Sequence, residues 1–258
     1  MVNRTRLDCG IGSAGGMDRA LGIAKEHTER REAFGSPLCD QPLMSHLLLD
    51  LTLESKASTL LTLRLSRTLD PLSPGPGCSK SLSRIGVPAM KFFVTKRQPN
   101  FVYECMEILG GNGYTESWPM ARLFRGSPLN SIWEGSGNVV ALDVVRTIRG
   151  SGGKNSFKAL EDNMEGVKGL DKNLDKHWEI TLDMMERLAS DTTDQAVAEF
   201  YGGKSRLISL LGCRGLRWLE GGWGILWRTM RRACLLQAGL GKGRRGKLTL
   251  IEAYMGTL

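Results

Sequence analysis

Histidine is scarce in this chain, three in 258 residues, and the six cysteines at 9, 39, 78, 105, 213 and 234 form no Cys-x-x-Cys and no Cys-His pairing. That excludes a zinc site and a disulfide framework and fits reduced, mostly buried thiols. Long apolar runs are missing as well. The leucine-rich stretch from Leu47 to Leu53 is interrupted by Asp50 and followed by Glu54, far short of the roughly 18 apolar residues of a bilayer span. No membrane association is expected. The opening residues Met1 to Cys9 hold Arg4 and Arg6 but neither an apolar stretch nor a small-residue cleavage site. No secretory signal is therefore expected, and the cytoplasm is the expected compartment. Sustained alternation of apolar and polar residues, the mark of half-buried strands, is absent, which points to an all-α fold.

What is present is an ordinary globular composition. With 41% hydrophobic and 24% charged residues the chain has enough apolar mass for a core, which excludes disorder throughout. Its length allows one large domain or two small ones. The net charge of +8 is local: nine basic residues between Arg214 and Lys247 face Glu220 alone, so this stretch carries the whole excess. The same region has eleven glycines between 202 and 246, with Trp218, Trp223 and Trp227, and no stable periodicity. Glycine at this density costs a helix about 1 kcal/mol per residue. Two readings fit it, a basic interaction tail and a translated stretch never selected as protein.

Helical spacing organises the rest. Leu7, Ile11, Ala14, Met17, Leu21 and Ala24 recur at steps of three and four, predicting a first helix to about Arg31. Gly35, Ser36 and Pro37 end that segment, and Gln41-Pro42 opens a second helix to about Leu69, with Met44, Leu47, Leu48, Leu51, Leu61 and Leu65 inward. Pro71 to Gly77 reads as an exposed connection. A third helix is expected from about Ser83 to Leu109, with Val87, Met90, Val94, Val102 and Cys105 inward and a kink at Pro99. Gly110 to Tyr114 reads as a tight turn, Ala121 to Arg125 as a short basic helix, and Ser127 to Gly137 as a loop. A helix lined by Val139, Leu142, Val145 and Ile148 follows. Gly150 to Gly153 is the strongest domain boundary, and helical spacing returns at Phe157, Leu160, Met164 and Val167, and at Trp178, Leu182, Met185 and Leu188. Short loops between such helices imply an antiparallel up-down bundle.

Chemistry concentrates in Asn130-Ser131-Ile132-Trp133-Glu134-Gly135-Ser136-Gly137-Asn138. A carboxylate between a tryptophan and a glycine, just before a helix, suits a general base in a partly apolar pocket, and an exposed loop acid is the other reading. Ser136 or Asn138 is placed to cap the following helix or to meet an anion. Gly110 and Gly111 follow a helix, not a strand, which excludes a Rossmann fingerprint and a P-loop. Their backbone N–H groups suit a diphosphate, and a plain helix end explains them equally well. Arg30 and Arg31 before Phe34-Gly35 fit a phosphate clamp or a solvated helix end. His27, His46 and His177 have no visible partner for a triad or a metal.

Taken in order, these pieces are more specific than any one of them. A helix, Arg31-x-x-Phe34-Gly35, a Gln41-Pro42-Leu43-Met44 helix, a loop, a helix ending in Glu107 to Tyr114, and Asn130 to Asn138 before another helix together resemble the C-terminal helical domain of acyl-CoA dehydrogenases. Thr5 to Cys9, Pro42 to Met44 and Trp133 to Asn138 resemble its AidB-like branch, named for a flavoprotein that also binds DNA. The likeness is strong over roughly residues 4–149 and weaker over 154–200.

The resemblance implies a bundle over 1–149, an extra AidB-like helical region over 150–201, and a basic Gly- and Trp-rich tail over 202–258. It implies an FAD-dependent oxidoreductase acting on the CH–CH group of an acyl-CoA thioester, with Glu134 as the base that removes the α-proton while hydride leaves the β-carbon for flavin N5. Arg31, Phe34 and Gln41 are then expected at the flavin diphosphate of a neighbouring subunit, Gly110 and Gly111 at a diphosphate-facing turn, and Ser136 and Asn138 at the flavin after the base. A homo-oligomer, a tetramer in the family, is implied, and the charge of the tail leaves DNA contact through Arg214 to Lys247 open as an alternative. There are departures: the Gly35 to Gln41 spacing is one residue short, and Glu107, Ser136 and Asn138 stand where typical members have Gln, Thr and Gln. Family members carry a helical and a β-domain before this region, so a fragment, inactive and poor in flavin by itself, is expected. The competing readings are a DNA-binding flavoprotein and an inactive oligomerisation bundle.

Overall fold

The computed structural model describes residues 1–70, 79–164, 168–169 and 172–190. The expected connection over Pro71 to Gly77, Val167, and the tail over 202–258 lie outside the described residues. Helix α1 spans Val2–Arg30, α2 Pro42–Arg67 and α3 Lys80–Ile108. Three short helices follow, α4 Gly111–Tyr114, α5 Pro119–Gly126 and α6 Leu129–Ile132, then α7 Gly137–Arg149, α8 Gly153–Met164 and α9 Lys172–Ser190. Among the described residues the fold is all-α apart from two-residue strands β1 (Glu32–Ala33) and β2 (Ser36–Pro37).

Cross-contacts fix the directions. Asn3 reaches the Ser83 carbonyl, Gly10 lies against Met90 and Gly16 against Gln98, so α1 and α3 run parallel. Helix α2 opposes both, since Lys56 meets Asp18 at 3.4 Å while Glu54 pairs with Arg97. Helix α7 also opposes α3, with Gly137 beside Phe92 and Lys96, and Asp143 beside Arg84. The result is the up-down order that short loops dictate.

Glycine explains the closeness of α1 and α3. A Cβ on Gly10 would stand 2.3 Å from Met90 Sδ, and one on Gly16 would stand 2.3 Å from Gln98 Nε2. The stripe of Val87, Met90, Val94, Val102 and Cys105 is buried as its spacing requires, and burial pushes the Cys105 thiol up to about 12. Helices α8 and α9 do not stand apart from the bundle. Ala159 joins the main core, while Met185 and Leu188 pack with Ile85, Ala89 and Val144, and Arg149 Nε donates to the Leu188 carbonyl at 3.0 Å.

Several local expectations give way to tertiary context. The α7 stripe is Val140, Ala141, Val144, Val145 and Ile148, while Val139 is 50% and Leu142 39% exposed. The helix is apolar on two sides, and packing against α3 chooses between them. Helix α3 starts at Lys80 because Ser79 caps it, its hydroxyl accepting from Leu82 N at 3.0 Å. Pro88 and Pro99 both lie inside it, with Gln98, Phe101 and Val102 buried around Pro99. Within Gly110 to Tyr114, residues Gly111–Tyr114 form one helical turn, and Gly110 before it has a positive φ of 59. Beyond α1, Phe34 at φ 54 and Gly35 at φ 83 make the mirror-image turn of a two-residue hairpin, which is why two minimal strands form there.

Candidate active site

The turn between α6 and α7 is one of two places among the described residues where a positive-φ residue with a Cβ is followed by a positive-φ glycine. Glu134 has φ 57 and Gly135 φ 99, two left-handed residues in succession. For a residue with a Cβ this conformation is uncommon and persists only where neighbours over-determine it. The neighbours are visible. Arg6 Nε donates to the Glu134 carbonyl at 3.1 Å, and Lys91 Nζ donates to the carbonyls of Ser131 and Gly135 at 3.3 and 2.7 Å. Trp133 Nε1 donates to Asn130 Oδ1 at 3.1 Å, and Asn130 Nδ2 donates to Ser13 Oγ on α1 at the same distance. The turn is thus tied to α1 and α3 from beneath, and the Glu134 side chain stays exposed.

Thr5 handles that side chain. Its hydroxyl lies 2.7 Å from Glu134 Oε2 and 2.9 Å from the Val2 carbonyl. One hydroxyl carries one proton and two lone pairs. With Glu134 ionised, the Thr5 O–H donates to the carboxylate. With Glu134 protonated, it donates to Val2 while the oxygen accepts from the acid, so the contact survives either protonation state.

Beside the turn, Asp143 on α7 pairs with both Arg6 and Arg84, the latter through contacts of 2.6 and 3.0 Å. Burial alone would raise the Asp143 carboxyl, but hydrogen bonds from Arg84 and Arg6 outweigh it and hold it below the ordinary carboxylate value. Arg6, itself buried, therefore links the ion pair to the Glu134 backbone.

A second group of expected residues sits at the other end of the bundle. Arg31 closes α1, exposed, its carbonyl accepting from Leu38 N at 2.8 Å. Phe34 at the hairpin tip is 94% exposed. Gln41 turns back into its own hairpin, Nε2 donating to Ser36 Oγ at 2.8 Å and to the Ala33 carbonyl at 3.2 Å. Gly110 and Gly111 are exposed, and a Cβ on either would meet nothing within 4 Å. Nearby, His27 meets Trp118 edge to face at 6.3 Å, and the Tyr103 hydroxyl donates to Glu107 Oε1 at 3.1 Å. The carboxylate at 107 is thus engaged by its own helix.

The expected residues therefore form two sets. Glu134, Ser136 and Asn138 lie where α1 begins, while Arg31, Phe34, Gln41, Gly110 and Gly111 lie where α1 and α3 end. With a rise of 1.5 Å per residue, Thr5 and Arg31 are about 39 Å apart along α1. Sequence reasoning missed Thr5, Arg6 and Lys91. For Lys91 a signal existed, since it interrupts the apolar run from Val87 to Val94 on the core-facing stripe. Thr5 and Arg6 stand in the Thr5 to Cys9 motif, but nothing in it points to Glu134, because their partners are 129 and 128 positions away.

Fold and site together define a helical-bundle domain with a carboxylate-bearing turn at one end and a glycine- and arginine-lined edge at the other. The C-terminal domain of acyl-CoA dehydrogenases matches residues 1–148, and the chain belongs to that family, whose members are FAD-dependent oxidoreductases. AidB of Escherichia coli is 41% identical over 176 residues, covering 68% of this chain and 32% of that protein. Acyl-CoA dehydrogenase family member 11 of Caenorhabditis elegans is 28% identical over 219 residues, 81% of this chain and 34% of its own length. The crystal structure of Caenorhabditis elegans ACDH-11 in complex with C11-CoA superposes with a TM-score of 0.64 at 25% identity, over 84% of this chain and 38% of that one. The chain thus spans about a third of the curated relatives it matches. No helix among the described residues is long and apolar enough to cross a membrane.

Proposed function

We propose that residues 1–149 are the base-bearing bundle of an acyl-CoA dehydrogenase in which Glu134 removes the α-proton of an acyl-CoA thioester. The supporting observation is the Glu134 turn, a backbone held in an unfavoured conformation from both neighbouring helices so that one exposed carboxylate is presented with one oxygen already bonded. Glu134 Oε1 takes the proton, and Thr5 accommodates the acid that results. When bound, FAD supplies the hydride acceptor for the β-carbon. Mixing the FAD-loaded full-length protein with a series of acyl-CoA thioesters under anaerobic conditions tests the reading. Bleaching of the flavin absorbance is expected, and no bleaching by any chain length would refute it.

The residues at the other end fit the diphosphate of that cofactor. Gly110 and Gly111 leave open space over exposed backbone, and Arg31 offers a guanidinium beside the Phe34 tip. Gln41 contributes by shaping the hairpin, and Ser136 and Asn138 belong to the flavin side of the base turn. About 39 Å separates the two sets, so a flavin touched by both kinds of residue lies between copies of the chain. A homo-oligomer, a tetramer on the family pattern, follows from that reading. Arg31→Ala removes planar, charge-assisted bonds that alanine cannot replace, and is expected to lower FAD retention and oligomer stability together. Flavin stoichiometry and light scattering measure both, and unchanged stoichiometry counts against the assignment.

The same reading assigns 150–201 to the extra region, of which 191–201 lie outside the described residues; the packing of α8 and α9 on α3 and α7 supports it over the described part. Cys9, Cys39 and Cys105 are free thiols, which supports a reducing compartment such as the cytoplasm. DNA contact through Arg214 to Lys247 is proposed on charge, since that stretch holds the chain's whole net excess. Deleting it should abolish DNA binding and its steep fall with salt. Binding that survives the deletion would move the contact elsewhere.

A further inference from the structure

Lys91 stands mid-way along α3 on the core-facing stripe, one turn from Val87 and one turn from Val94, with 1% of its surface exposed. An ammonium group reaches such a place only if its protons find acceptors, because burial takes it out of water. The acceptors are the carbonyls of Ser131 and Gly135, at 3.3 and 2.7 Å. They bracket Glu134 on either side. The positive φ values at Glu134 and Gly135 turn the chain so that both carbonyls face α3, where one nitrogen reaches both.

We infer that Lys91 is a positioning residue, its ammonium pinning the Ser131 to Gly135 backbone in the left-handed turn that presents Glu134. A point charge with three rotatable donors satisfies two carbonyls approaching from different directions more fully than a planar fork does. Arg6 and Cys9 face it from α1, Lys96 from its own helix and Glu134 from the turn, and burial pushes the lysine below its ordinary value. The two cations divide the work: Arg6 holds the carbonyl of Glu134, and Lys91 holds those of Ser131 and Gly135. The catalytic consequence rests on the reading of Glu134 as base; the pinned turn does not.

Backbone hydrogen exchange across Asn130 to Asn138, followed by mass spectrometry on the full chain, reads the turn without flavin or turnover. In Lys91→Met the stem remains and the ammonium is gone. Exchange across that segment should rise about tenfold or more while α1 and α2 keep their protection. Lys91→Arg, which keeps a charged donor, should restore part of it. Exchange as slow as in the parent, a uniform loss along α1 and α2, or an arginine variant no better than the methionine one would each overturn the inference. If Lys91→Met does not fold, Lys91→Gln is measured against the same criteria. Unchanged exchange in Lys91→Met beside an inactive Glu134→Gln sinks this inference alone. Faster exchange beside a fully active Glu134→Gln sinks the base assignment alone.

Discussion

Glu134→Gln in the full-length protein is expected to lower turnover of acyl-CoA by about 10²-fold or more while flavin stays bound. Glutamine has the shape of glutamate, accepts from the Thr5 hydroxyl through its amide oxygen, and leaves the backbone contacts from Arg6 and Lys91 in place. What it cannot do is take a proton. Because the side chain is exposed and its removal strands no buried group, the variant should fold and melt like the parent. Stopped-flow bleaching of the flavin, compared at equal flavin content, isolates the proton-abstraction step. Near-normal rates with every acyl-CoA that the parent accepts would remove Glu134 from the chemistry.

Asp143→Ala should be the most destabilising change near the site, at about 3 kcal/mol, because it leaves the buried Arg6 guanidinium without its carboxylate. For a chain of this size that corresponds to a fall in Tm of roughly 10 °C, measurable by differential scanning calorimetry. The same pair sets the acid limb. The folded carboxyl lies below its ordinary value of about 3.9. Its contribution is therefore full above the unfolded value and lost as pH falls through the folded one. In the alanine variant that part of the acid dependence should flatten. A variant that melts within a few degrees of the parent, with the acid limb unchanged, would show that Arg6 finds another partner.

Periodicity carried most of the architecture. The α3 stripe from Val87 to Cys105 was legible in the spacing, but the second buried face of this central helix, where Ile85 and Ala89 pack against α7 and α9, was not. In α7 two faces compete, and Val139 and Leu142 were assigned inward where Val140 and Val144 belong. That choice is made by the neighbouring helix, which spacing within α7 cannot encode. For the site, the linear pattern around Trp133-Glu134-Gly135 located the carboxylate but not its supports. Thr5 and Arg6 meet Glu134 only because α1 folds back beside the turn. Gln41 shows the converse: its place in the motif was legible, but the donation of its Nε2 to Ser36 and Ala33 was not.

The glycines of α1 make the orientation of Glu134 a cooperative property. Gly10, Gly12, Gly15, Gly16 and Gly22 lie in one helix, and at about 1 kcal/mol each they leave it with little autonomous helicity. Helix α1 is therefore ordered by its neighbour, through the close approach that Gly10 and Gly16 permit against Met90 and Gln98. Its first turn carries both Thr5 and Arg6. Any loosening of the α1–α3 seam, even at Gln98 and far from the reacting carboxylate, therefore propagates as fraying toward Thr5, so local order at the base is thermodynamically linked to packing several helical turns away.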